Sequence, residues 1–224
     1  MEATEWERRL ELAACYRLFD WMGWTELIYN HITLRVPGPE RHYLINPYGL
    51  WYNEVTASNL VKIDVDGKVV DGSTYPVNVA GFVIHSAIHA ARHDVGCVLH
   101  THTNAGMAVS VLKCGLLPLT QTAMRWARVA YHDFEGITVN SDESSRLLRS
   151  IGDKPLLVLP APMPSGTCSV SGVMISPIPA LLAPCRRSAG PVSACWYRRS
   201  LLVATTPGFP SQPPTHESVG QGMC

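Results

Sequence analysis

The chain has 224 residues, 46% hydrophobic and 16% charged, with a formal net charge of zero. That length suffices for one globular domain with a real core, and two would be a stretch. The basic residues form no cluster beyond isolated arginine pairs, which disfavours a phosphate-neutralising nucleic-acid surface, and no run approaches the roughly 18 apolar residues of a membrane span.

The first nine residues are charged and lack the apolar stretch of a signal peptide, so a cytoplasmic location is expected. Leu10, Ala14, Leu18 and Trp21 recur at helical spacing with Gly23 as a stop, which predicts an amphipathic helix over 5–22. Strands are predicted over 28–36 and 42–46 around the turn Pro37-Gly38-Pro39, and Asn46-Pro47-Tyr48-Gly49 makes a further turn. Val61 to Val65 alternates with period two, and Asp66-Gly67 marks a hairpin into Lys68-Val69-Val70. Asn78 is placed to cap a helix over 82–92. On that helix His85 is expected to pack near the sheet and His89 to lie on the surface.

A strand over 95–102 follows, ending in His100-Thr101-His102. Side chains two apart on a strand share a face, so both imidazoles project together, as two ligands of one divalent metal must. Cys97 in the same strand reads as a small core residue. Thr103 caps a second helix to about 112, a short strand is predicted over 129–132, a helix over 141–150, and a buried strand over 156–159. Helices interspersed with strands indicate an α/β sandwich with a mixed sheet.

The composition then breaks. Residues 1–159 hold 14 basic and 17 acidic side chains, a net of −3; residues 160–224 hold four arginines, no lysine and one acidic residue, Glu217. The second segment also carries 11 of the 17 prolines and four of the seven cysteines. No period of 2 or 3.6 persists there, and no element is assigned to it. An odd cysteine count without a Cys-x-x-Cys pair implies no disulfide framework.

Residues from about 10 to 159 resemble the class II aldolase/adducin family. The motifs that carry the resemblance are Tyr29-Asn30-His31-Ile32-Thr33-Leu34-Arg35, Ile45-Asn46-Pro47-Tyr48-Gly49-Leu50, Ala57-Ser58-Asn59-Leu60-Val61, Gly81-Phe82-Val83-Ile84-His85-Ser86-Ala87-Ile88-His89, Asp94 to Thr103, and Val129 to Gly136. The resemblance implies a three-layer α/β/α sandwich with a mixed, largely antiparallel sheet. It also implies a homo-oligomer, commonly a tetramer, and a divalent metal, often zinc, held by three histidines. It places His100 and His102 on the first two metal ligands and Asn30 and Gly49 on substrate phosphate-cradle positions. Tyr131 is the nearest candidate for the family's tyrosine proton donor.

Three positions depart from the pattern. Gly81 stands where the family carries its catalytic glutamate, Val79-Ala80 replace phosphate-binding serines, and Pro162 stands where the third histidine ligand belongs. His132 and His216 are the substitutes available in sequence. The domain reading is therefore a C-terminally incomplete aldolase/adducin-like domain over 1–159, followed by a Pro/Ser/Cys/Arg-rich tail over 160–224 from a frameshifted or wrongly predicted translation. The implied function is metal-dependent carbon–carbon lyase chemistry, of aldolase or decarboxylase type, on a small hydroxy-carbonyl or sugar-phosphate-like molecule. The alternatives are a non-catalytic adducin-like assembly module of cytoskeletal type and an inactive truncated product. Gly81 and the missing third ligand argue against full activity.

Overall fold

Alternation along the strands decides which side chains meet which helices. The computed structural model describes residues 3–126, 128–135, 142–160 and 172–176, all within the first of two units into which the chain divides, 1–186. In chain order the elements are α1 (Ala3–Trp21), β1 (Ile32–Arg35), β2 (Tyr43–Ile45), a 3-10 turn (Tyr52–Glu54), β3 (Val61–Ile63) and α2 (Val79–Ala91). There follow β4 (Cys97–Thr101), α3 (Asn104–Val111), α4 (Gln121–Arg125), β5 (Val129–Tyr131), α5 (Asp142–Ile151), β6 (Leu156–Val158) and β7 (Gly172–Ser176).

The strands form one sheet in the order β3-β2-β1-β4-β7-β6-β5. Among the described strands only the β5–β6 pair is parallel; the other five pairs are antiparallel. Ile32 and Leu34 of β1, Leu44 of β2, and Cys97 and Leu99 of β4 turn to α1, where they bury Leu12, Tyr16 and Phe19. Their neighbours face the other way. Val98 of β4 and Leu157 of β6 pack with Ile88 of α2 and with Leu147 and Ile151 of α5. One helix on one face and two on the other give the three-layer α/β/α sandwich, with a mixed and largely antiparallel sheet, that the sequence predicts. Cys97 sits in the core as expected.

Several elements differ from the sequence reading. The first predicted strand begins only at Ile32, because Glu26 to Asn30 form a loop in which Leu27 adopts φ +50°. After the Asp66-Gly67 turn the second hairpin arm reduces to a single bridge, Ile63 to Val69. The five-residue helix α4 is unheralded by any long period. The largest difference is β7. It lies beyond Leu159, where no element is assigned, yet it pairs with β4 on one side and β6 on the other. A run of three apolar residues flanked by prolines and serines has no alternation to read; a strand paired on both edges needs none. The sheet therefore extends past the boundary drawn at 159/160.

Candidate metal centre

The residues that gather at one end of the central strands come from three elements. β1 and β4 run antiparallel with Ile32 opposite Leu99 and Thr33 opposite Val98. Thr33, Val98 and His100 share the α2 face, and His31 precedes β1 by one residue. From α2, His85 reaches the same place. One ring nitrogen from each of His31, His85 and His100 lies within 4.8 Å of the other two, and all three residues are buried. The His31 ring centroid is 4.2 Å from that of His100 and 4.4 Å from that of His85.

Burial fixes the charge state. Desolvation pushes His31, His85 and His100 well below the ordinary imidazole range, and the proximity of the rings to one another adds to the shift. All three are neutral at pH 7, the form that ligates a metal. His85 Nδ1 lies 2.7 Å from Thr33 Oγ1; with the proton on Nδ1 and donated to the hydroxyl oxygen, Nε2 carries the bare lone pair. That Nε2, and Nδ1 of His31, are buried without a hydrogen-bond partner. A buried polar atom left unsatisfied costs about 1–3 kcal/mol, so packing alone does not account for the cluster.

Thr33 also reaches His89. Its hydroxyl lies 2.9 Å from His89 Nε2 and 3.3 Å from the Val98 carbonyl. The expectation that His89 lies on the helix surface is thus overturned: it is 1% exposed, and its ring stacks on Tyr43 at 4.8 Å. Arg35 donates to the His89 carbonyl at 2.5 Å, and burial lowers the His89 pKa to about 3. A helix apolar on most sides has no clear wet face, so its periodicity misplaces this residue. His85 does hydrogen-bond to the sheet, as expected.

The histidines singled out by alternation do meet: the His100 and His102 rings lie 5.2 Å apart. His102 Nδ1 is held by the Glu26 carboxylate. Asn30, 1% exposed, accepts from the Glu26 N–H at 2.6 Å through Oδ1, while its Nδ2 has no partner. Gly49 lies in a separate turn at φ +97°, a conformation that favours glycine. Tyr131 is engaged elsewhere, its hydroxyl accepting from the Leu116 N–H at 2.8 Å. His132 sits apart from the cluster, beside Ser150, Glu135 and Glu143. Pro162 and His216 lie outside the described residues.

Gly81 explains how His31 reaches the cluster. A Cβ there would stand 3.1 Å from three atoms of the His31 ring. The bare glycine backbone gives the imidazole its seat. No residue-type motif in the sequence marks His31 or His85 as partners of His100; only the pairing of β1 with β4 and the packing of α2 bring them together. The fit to a divalent ion rests on this donor set of neutral, buried imidazoles with two unpartnered nitrogens.

Fold and site together define a three-layer sandwich in which histidines converge at the end of the central strands. The family profile described as "Class II Aldolase and Adducin N-terminal domain" matches residues 10–160. A Caulobacter vibrioides protein that carries an aldolase class 2 name is 52% identical over 157 residues, covering 70% of this chain and 61% of that protein. Alpha-adducin of Rattus norvegicus is 52% identical over 153 residues, 67% of this chain and 21% of its own length. Among solved structures, an aldolase II superfamily protein from Pseudomonas syringae superposes with a TM-score of 0.72 at 48% identity, covering 79% of this chain and 68% of that one. L-fuculose 1-phosphate aldolase from Glaciozyma antarctica does so at 0.65 and 27% identity, again covering 79% and 68%. The chain belongs to the class II aldolase and adducin N-terminal domain family. It spans about three-fifths of the length of the bacterial relative it matches.

Proposed function

We propose that the chain is a divalent-metal-dependent carbon–carbon lyase of class II aldolase type, acting on a small hydroxy-carbonyl or sugar-phosphate-like substrate. The observation that carries this reading is the buried, neutral imidazole cluster containing His100. Imidazole donors suit zinc, which is the metal proposed. A bound divalent ion supplies Lewis-acid stabilisation of the negative charge that develops on oxygen as the carbon–carbon bond breaks.

His100 binds the ion, and His102, the neighbour assigned by the family resemblance, is oriented by Glu26 in the carboxylate–histidine pattern common around metals. Asn30 Nδ2, a donor without a partner, is suited to an anionic substrate oxygen, and the family resemblance assigns Gly49, in its separate turn, to the same substrate group. Gly81 offers no group to carry a proton. The reading places the protein in the cytoplasm as a homo-oligomer, tetrameric as the resemblance implies.

Metal analysis of the purified protein beside His100→Ala tests this. About one equivalent in the wild type and none in the variant is expected; a metal-free wild type reconstituted with zinc to no effect overturns it. A second reading, a non-catalytic assembly module, is favoured by Gly81 together with the 52% identity to alpha-adducin. It predicts metal-independent behaviour and no cleavage of any sugar phosphate.

We also read residues 160–224 as a frameshifted or wrongly predicted translation, because the family match ends at 160, where the composition breaks. Another frame of the coding DNA is expected to contain Asn-His-Gly followed by an amphipathic helix.

A further inference from the structure

We infer that Leu27 is a positioning residue: its left-handed backbone carries the Glu26 carboxylate to His102, in a turn pinned by Asn30. On the metal-dependent reading above, in which His100 and His102 bind the ion from the end of β4, this turn is what fixes the second of them. Among the described residues, Leu27 is the one non-glycine residue with a positive φ, at +50°. The left-handed region crowds the Cβ of an L residue against its own backbone. Single residues held there concentrate at functional sites, where the surrounding contacts over-determine them. Packing of the leucine side chain does not account for the conformation, because the residue is 53% exposed.

The contacts that hold the turn lie on either side of Leu27. Glu26 donates its N–H to Asn30 Oδ1 at 2.6 Å, and its carbonyl accepts from the Tyr29 N–H at 3.0 Å. Asn30 is buried two residues before β1, so the anchor belongs to the sheet rather than to the loop. With both backbone groups of Glu26 fixed, its carboxylate reaches the end of β4 and meets His102 Nδ1. A carboxylate oxygen only accepts, so the proton of that contact sits on Nδ1, and Nε2 is the nitrogen left for an ion. A right-handed Leu27 would redirect the chain between Glu26 and Asn30 and break either the Asn30 anchor or the His102 contact. The disfavoured backbone thus holds one imidazole in place, through the outer carboxylate that metal-ligating histidines commonly use.

The turn permits a test that leaves every histidine in place. Zinc affinity of the full chain is measured by competition with a chromophoric chelator, with the folding of each variant checked by circular dichroism. Glu26→Ala, at a half-exposed side chain, is expected to weaken zinc binding about 10- to 100-fold. Leu27→Pro, locked near φ of about −65°, is expected to lose as much, and the double variant no more than either alone, since both remove one contact. Leu27→Gly, which adopts positive φ freely, is expected to stay within about threefold of wild type; a loss equal to that of Leu27→Pro assigns the effect to the side chain and overturns the inference. If Leu27→Pro does not fold, Leu27→Ile takes its place, with the same direction and a smaller loss, because a branched Cβ resists the left-handed region further. Additive losses in the double variant, or wild-type affinity in Glu26→Ala or in the folded Leu27→Pro or Leu27→Ile, overturn the inference while leaving a metal-dependent enzyme standing. Absence of zinc binding by the wild type removes both this inference and the function on which it rests.

Discussion

His31 and Gly81 occupy one volume, and either residue is intelligible only with the other. Replacing Gly81 by alanine gains about 1 kcal/mol of helix propensity and costs roughly 1–3 kcal/mol of overpacking against the imidazole. A net loss of about 1 kcal/mol is expected in urea denaturation; a stabilised variant would show that His31 yields freely. The buried rings also set an acid limit. His31, His85 and His100 are held below the ordinary imidazole range, and His89 at about 3. Their folded pKa values lie below the unfolded value near 6.5, so below that pH the unfolded chain binds more protons. The stability they contribute is full above pH 6.5 and drains away as pH falls toward 3. Urea midpoints measured with chelator present should drop steadily from pH 7 to pH 5; a flat profile would contradict the burial. At this scale alternation reveals the His100 and His102 pair, because two residues on one strand declare their common face. His31 and His85 stay hidden, since no local rule links a residue before one strand to a residue on a distant helix.

Among the elements, α1 is tied down by a side chain that its amphipathic pattern does not predict. Arg9 is 2% exposed. It donates to Glu5 at 2.9 Å, to the Leu60 carbonyl at 2.6 Å and to Asp71 at 2.7 Å. For both carboxyls burial works upward, but hydrogen bonds outweigh it, from Lys62 and Arg9 to Glu5 and from Arg9 and backbone N–H groups to Asp71, and both pKa values fall. Removing one partner of a buried ion pair typically costs about 3–5 kcal/mol, so Arg9→Ala should be severely destabilised in chemical denaturation. A loss below 1 kcal/mol would mean that water replaces the guanidinium. By contrast the Thr103 cap is fully legible: its side chain accepts from the Gly106 N–H at 3.2 Å at the start of α3, as capping chemistry requires. Thr103→Ala should cost about 1 kcal/mol. Helices with caps and strands with alternation are readable in the chain, whereas a buried salt network and a strand made by its neighbours are not.

For the molecule as a whole, the sheet depends on a segment that the family match does not reach. The profile ends at 160, while β7 at Gly172–Ser176 joins β4 to β6. A chain ended at 160 should lose that bridge and aggregate through two bared strand edges, while the full chain should stay in solution. Equal solubility of the two would show that β7 is dispensable. The position of β7 also orders events in time. Strands β3, β2, β1 and β4 are neighbours that can assemble as the chain emerges during synthesis, whereas β5 and β6 have no route to them until residue 176 is made. Among the described strands, the last to leave the ribosome is the one that closes the sheet. Until then the imidazole end of β4 borders an open seam, so on this route refolding should be gated by the insertion of a single late strand.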